Sequence, residues 1–437
     1  MSDTHAQTVA FVRDGMLPQQ APPTREAGAV KWIRENLFPT WLNAILTVLA
    51  LYVIWFILSH IAPWFWNGIW NASSLSECRE IRDATLGADA SAACFAVISD
   101  RWQQLLFGFY PDWAYWRPVL ALVVLLAGLA PILFGSIPRR LMTFSLASPF
   151  VIFFLLWGGS IWLPISIALG FVLGAVAFRA LLKVNQIVAV IGAVLVPVLY
   201  WLFLAVPISQ ALHEILPIGI EAIASKQFGG FMLSIVIGVA AIVLSLPLGI
   251  MLALGRASDL FIVNKLSVGF IEIIRGVPLI VWLFTASLLL NYFLPPGTNF
   301  DLTLRVIIMV TLFSAAYIAE VVRGGLAAVP KGQYEGADSL GLSYWQSMQL
   351  IVLPQALKIS IPGIVNTFIG LFKDTTLVVF IGLLDPLGLT NSIRASTDWN
   401  GIYWELYVFI GLMFFIACFS MGRYSLYLER KLQRENR

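Results

Sequence analysis

An all-helical bundle that crosses a membrane about ten times is the fold this sequence predicts, and three observations predict it. Hydrophobic residues make up 59% of the chain and charged residues only 12%, against about half and about a quarter in soluble domains. Mean hydropathy is +0.85. Apolar runs of spanning length, roughly 20 residues each, recur along most of the chain. So few charges cannot coat a water-facing surface, which excludes a soluble enzyme or binding domain.

The elements follow in order. Residues 1–40 are polar and carry Pro18, Pro22, Pro23 and Gly28, so a disordered tail is expected. No short apolar stretch marks a cleavable signal there. The first run, 41–61, follows Lys31 and Arg34 and reads as an uncleaved anchor. A polar loop over about 62–117 then carries Trp64, Trp66, Trp70, Trp102, Trp113 and Trp116, which interfacial anchoring explains better than ligand stacking. Further spans are expected over 118–137, 141–157, 163–182 and 187–206. After a break near 219–229 come 231–254, 266–290, 304–322, 359–382 and 402–422. The motifs described below all lie beyond Gly229 and have no second copy earlier. The organisation predicted is a membrane extension over 41–219 and one core of about five spans over 220–437.

Basic residues set the orientation. With the N-terminus in the cytoplasm, Arg139, Arg140, Arg179, Lys183, Arg256, Lys265, Arg323, Lys331 and Lys358 all fall on that side. So does the cluster Arg423, Arg430, Lys431, Arg434 and Arg437. Both termini are then cytoplasmic, and the 62–117 loop lies outside. Of the three cysteines, Cys78 and Cys94 share that loop, where an oxidising compartment permits a disulfide. Two free thiols are the alternative. Cys418 lies in the last apolar run as a small buried hydrophobe. No zinc-type spacing is present, and no metal is expected.

The segment over about 323–358 carries the strongest signal. Pro330 and Gly332 precede Glu335-Gly336-Ala337-Asp338-Ser339-Leu340-Gly341, a short helix with Gly341 where a left-handed cap is needed. Ser343 followed by Gln346 forms a capping box for a second helix, which Leu353-Pro354 is expected to close. Glu335, Ala337, Gly341, Ile351, Leu353 and Pro354 have the spacing of the EAA loop of ABC-importer permeases, and the segment resembles that loop. Gly336 departs from it, since alanine is usual there. An ordinary capped loop is the bland reading, and it leaves the full spacing unexplained.

Other stretches resemble the polar amino acid branch of those permeases, which serves histidine, glutamate, glutamine and arginine. They are Ile271–Leu279 (IEIIRGVPL), Ala316–Gly325 (AYIAEVVRGG), Val329–Glu335 (VPKGQYE) and Phe372–Leu377 (FKDTTL). The long extension looks like the enlarged permease subunits of broad-specificity L-amino-acid importers of Gram-negative bacteria. The resemblance implies a bacterial inner-membrane protein that works by alternating access. Its implied partners are ATPase subunits, a second permease, related but non-identical with an identical copy as the alternative, a periplasmic amino-acid-binding protein, the amino acid substrate and membrane lipid. No nucleic-acid partner is expected. ATP and magnesium would be held by the ATPase chain, because this one has no phosphate loop and binds no cofactor of its own.

Charges inside spans are costly and mark either an aqueous path or a structural pair. Glu272, Arg275, Glu320, Lys373 and Asp374, with Thr375 and Thr376, are the candidates for a substrate path. They offer both signs, as an amino acid's carboxylate and ammonium require. The competing reading pairs Arg275 with Glu272, Lys373 with Asp374, and Glu320 with Arg323. His5, His60 and His213 are widely separated, and no catalytic constellation appears, so a membrane enzyme is disfavoured. An ion-gradient-driven amino acid transporter and a scaffold permease without a substrate site are the remaining rivals. The first leaves the EAA-type segment without a purpose.

Overall fold

The computed structural model describes residues 28–289 and 301–435. The expected tail over 1–27, Leu290 and Arg437 lie outside them. The chain divides into two compact units, one of residues 82–93 with the stretch ending at Ile69, the other of residues 70–81 with 94 onward.

In the first unit, α1 (Gly28–Asn36) is a helix where a disordered tail was expected. Residues 29–36 contain no glycine or proline, and Lys31 pairs with Glu35 one turn on, at 3.8 Å, which favours a helix. The span α2 (Trp41–Trp66) starts at Thr40, whose side chain accepts the Asn43 N–H at 3.2 Å. It runs past the expected end at 61 and buries none of its side chains within the protein. A helix apolar on all sides is suited to lipid.

In the second unit, α3 (Leu75–Thr85) is a short polar helix and α4 (Ala96–Phe107) a short helix that buries Ala96, Val97 and Leu105; only the start of α3, through Ile81, belongs to this unit. The spans α5 (Trp116–Leu133), α6 (Met142–Trp157) and α7 (Trp162–Leu181) follow. The next run is broken: α8 (Gln186–Phe203) and α9 (Ala205–Ile215) meet at 53°. Pro207 has no N–H to return to Phe203 and its ring crowds that carbonyl. Strands β1 (Gly159–Ser160) and β2 (Gly219–Ile220) form a short antiparallel clip.

The core opens with α10 (Gly230–Arg256). The run expected as one span over 266–290 is instead α11 (Phe261–Gly276) and α12 (Leu279–Phe284), continued as a wide turn to Leu289 and bent by 101°. Pro278 explains the break. It drives Val277 to an extended conformation, φ −122° and ψ 135°, and cannot continue the helical bonding. Beyond it lie α13 (Leu302–Ala328), α14 (Lys331–Ser339), α15 (Tyr344–Ser347), α16 (Leu353–Asp374), α17 (Pro386–Arg394) and α18 (Trp404–Glu435). Among the described residues, eight helices are long and apolar enough to cross a membrane, or up to ten if each bent pair is one span.

α13 is the most enclosed span, buried over 61% of its apolar window. Small residues let its neighbours approach, as membrane packing without a hydrophobic drive requires. Gly249 of α10 lies against Ala315 and Ile318, and Gly325 against Ala356 and Ser360 of α16. Ala253, Ile271, Ile318, Val322, Val352 and Ala356 form one apolar cluster that joins α10, α11, α13 and α16.

Two adjacent glycines give a sharp test. A Cβ on Gly325 would lie 2.5 Å from the Ala356 carbonyl oxygen, whereas one on Gly324 meets nothing within 4 Å. Gly325→Ala should destabilise the protein by about 1–3 kcal/mol through overpacking. Gly324→Ala should stabilise it by about 0.5–1 kcal/mol through helix propensity. Thermal unfolding of the two variants in mild detergent distinguishes these opposite signs.

Candidate functional site

The EAA-type segment is built from caps. Pro330 opens α14 with extended backbone. At its other end Gly341 adopts φ +68°, its N–H donates to the Asp338 carbonyl at 2.9 Å, and the Leu342 N–H donates to that of Ala337 at 3.2 Å. This double bond pattern with a left-handed residue ends a helix firmly. Gln346 Oε1 accepts the Ser343 N–H at 2.9 Å, the reach-back half of a capping box. Ala337 is buried while Glu335 and Gly336 are exposed. Gln355 Nε2 donates to Gln333 Oε1 at 2.9 Å and ties α14 to α16.

Leu353-Pro354 does not close the second helix, contrary to expectation. Residues Tyr344–Ile381 form one continuous 38-residue helix. The stretch Met348–Val352 widens to a π-turn, and Pro354 then sits in the first turn of α16. A π-turn shifts the bonding register by one residue, which accommodates the missing N–H of Pro354 without a break. Val352 is fully buried, and Ile351 and Leu353 are half-buried. On the outside, Leu340, Trp345 and Leu350 are 75%, 61% and 67% exposed. The segment therefore holds itself together through small buried residues and turns large apolar ones outward.

The charged candidates fall into two groups that the fold keeps apart. Glu320, on α13 and 16% exposed, is the centre of the first. Its carboxylate meets Arg256 Nη1 at 2.7 Å, Arg323 Nη2 at 3.0 Å and Arg275 Nη1 at 3.6 Å. Arg256 also reaches Glu272 at 2.9 Å. Glu272 thus pairs across helices with Arg256, and the local Glu272–Arg275 pair gives way to it. The Arg275 guanidinium also faces the Tyr317 ring at 5.4 Å. Glu320 lies eight residues before the end of α13 at Ala328, about 12 Å along the axis.

Lys373 and Asp374 end α16, about 30 Å along the helix from Leu353. Lys373 is exposed and Asp374 half-buried. The Thr375 and Thr376 hydroxyls donate to the Phe372 and Lys373 carbonyls at 2.7 and 2.9 Å, so both are engaged in the local 3-10 turn. Glu320 and Lys373 therefore sit at different depths and form no single dipolar receptor.

Arg256 is the member of this charged cluster that sequence reasoning missed. It read as one more orientation-setting basic residue, and its partners are 16 and 64 positions away. Elsewhere, Cys78 and Cys94 are joined by a disulfide with a Cα–Cα distance of 6.0 Å. Cys94 N–H donates to the buried Glu405 Oε1 at 2.9 Å, near the start of α18. Among the described residues no cluster of three or more His, Cys, Asp or Glu could hold a metal.

The cluster predicts an unequal response. Glu320→Ala strips a carboxylate from three guanidiniums in a partly desolvated site and should cost about 3 kcal/mol. Glu272, whose side chain is 57% exposed, should cost about 1 kcal/mol or less on the same change. Equal losses of thermal stability in detergent for the two variants would count against Glu320 as the hub.

Residues 245–434 match the family of binding-protein-dependent transport system inner membrane components. The chain is 56% identical to the glutamate/glutamine/aspartate/asparagine transport system permease protein BztC of Rhodobacter capsulatus, over 100% of both chains. It is 36% identical to the inner membrane amino-acid ABC transporter permease protein YhdY of Escherichia coli, over 95% of this chain and 96% of the relative. A probable glutamine ABC transporter permease of Bacillus subtilis is 31% identical over 46% of this chain and 90% of its own length. Similarity that runs the full length of two relatives, and not the core alone, means that the chain belongs to the binding-protein-dependent inner membrane components, as a permease subunit of an amino-acid ABC importer.

Proposed function

We propose that this permease subunit carries polar L-amino acids of the acidic and amide type, glutamate, glutamine, aspartate and asparagine, into the cytoplasm of a bacterium. The observation that carries the substrate class is the 56% identity, over the whole of both chains, to a permease protein whose name specifies those four. A periplasmic binding protein delivers the amino acid. ATP and magnesium act on separate ATPase subunits, and a second, related permease completes the path. Both termini face the cytoplasm, which the distribution of basic residues supports.

Coupling to the ATPase runs through the segment from Pro330 to Pro354. Its outward Leu340, Trp345 and Leu350 are apolar residues held on a capped scaffold, and Glu335 stands exposed beside them. Large apolar residues rimmed by polar ones mark a protein contact. The Glu320 cluster braces α10, α11 and α13 next to it, so a push on the segment is delivered to three spans together.

Reconstitution with the ATPase and the binding protein tests this reading. Gly341→Val should reduce ATP-driven glutamate uptake at least tenfold, because a β-branched residue disfavours the left-handed cap. Glu335→Arg should do the same by reversing an exposed charge. Both variants should still insert into the membrane. Undiminished uptake by both would overturn the docking assignment, and failure of glutamine, aspartate and asparagine to compete with labelled glutamate would overturn the substrate class.

A further inference from the structure

The segment 382–403 lies between the helix Tyr344–Ile381 and α18. That helix begins at the EAA-type segment, so 382–403 stands at the opposite end of the core. α17 starts at Asp385, whose carboxylate accepts the Gly388 and Leu387 N–H groups at 2.9 and 3.3 Å. On its face Asn391, Arg394 and Ala395 are spaced i, i+3 and i+4, which makes them neighbours. The following turn returns Asn400, Gly401 and Tyr403 to the same place. These six residues line a cavity of about 280 Å³. Pockets for drug-sized ligands span about 300–1,000 Å³, so this one suits a smaller molecule.

The chemistry of the cavity is directional. Arg394 Nη2 donates to the Tyr403 hydroxyl at 2.6 Å, and the guanidinium lies 4.0 Å from the Tyr403 ring centroid. These contacts fix the plane of the guanidinium and leave further N–H donors to the cavity. Among the described residues Arg394 has no ion-pair partner. The acid of the same turn, Asp398, is engaged elsewhere: its carboxylate lies 3.7 Å from Arg101 and its carbonyl accepts the Leu75 N–H at 2.8 Å. A planar fork of donors matches a carboxylate better than any other small anion except phosphate. Asn391 and Asn400 add neutral donors and acceptors of the kind that orient a small polar ligand.

The walls are held before any ligand arrives. Trp399 is completely buried and its indole N–H donates to Asp100 at 2.8 Å. Ile393 and Ile402 are buried on either side of the turn. The anchoring residues Leu75, Asp100 and Arg101 all belong to the outer loop of the extension and flank the stretch that the Cys78–Cys94 disulfide closes. A site fixed in advance loses little entropy on binding.

We propose that Arg394, with Asn391, Asn400 and Tyr403, forms a carboxylate-recognising subsite on the face opposite the EAA-type segment, which takes the α-carboxylate of the free amino acid before it enters the span bundle. The assignment rests on the importer reading for the identity of the ligand. The extension thereby acquires a role, since its outer loop holds the receiving turn in shape.

Binding of radiolabelled glutamate to the complete permease complex in nanodiscs, without binding protein, tests the subsite. Arg394→Ala should weaken binding about tenfold or more, the range for hydrogen bonds to charged groups. Arg394→Lys should restore part of it, and Thr397→Ala, outside the cavity, should match the parent. Glutamate α-methyl ester should compete poorly with the parent complex. Unchanged affinity in Arg394→Ala, or effective competition by the ester, overturns the proposal. So does an Arg394→Ala effect confined to the association of ligand-free binding protein, which would make the pocket a protein contact. ATP-driven uptake by the parent complex, measured in parallel, tests the importer reading separately.

Discussion

One carboxylate surrounded by three guanidiniums is the interaction on which the core depends. Glu320 lies on the most enclosed span, and Arg256, Arg275 and Arg323 converge on it from α10, α11 and α13. In lipid, attraction between apolar surfaces does little to choose partners, because the tails are as apolar as the side chains. A charge that must be neutralised does choose. The hub fixes the relative rotation of α10 and α13 and holds the C-terminal end of α11 against both. That end is where Pro278 turns the chain, so the bend at Val277 is supported from beneath. The small residues Gly249 and Gly325 then permit the close approach that the ion pairs demand.

Much of this was legible in the sequence, for reasons that differ by element. Spans are legible because the bilayer imposes one length and one composition on them. The caps at Gly341 and at Ser343 with Gln346 are legible because they are local chemistry, complete within a few residues. What local patterns could not supply was a contact between residues far apart. Arg256 and Glu320 are 64 positions apart, and a basic residue at the end of an apolar run looks the same whether or not it is paired. The near pair Glu272 and Arg275 offered itself instead and proved to be two separate links to other helices.

Two prolines misled in opposite directions. Pro278 lay inside an apolar run long enough for one span, and the run concealed a turn that the residue itself announced. Pro354 looked like a stop, and the helix passed through it by widening one turn. The difference lies in the neighbours. Val277 goes extended and removes the preceding residues from the helix, whereas the buried Val352 and Met348 hold the chain before Pro354 in helical contact with α13.

That uninterrupted passage has a mechanical consequence. From Tyr344 to Ile381 the protein possesses a single 38-residue shaft, about 57 Å long at helical rise. One tip carries the exposed Trp345, and the other leads through Gly382, at φ +90°, into the turn that bears Arg394. The close-packed contact at Gly325 and Ala356 divides this shaft into unequal arms, short on the Trp345 side, like those of a lever. A tilt of about 5° sweeps one end about 5 Å relative to the other, so a small displacement of the Trp345 tip is magnified at the far one.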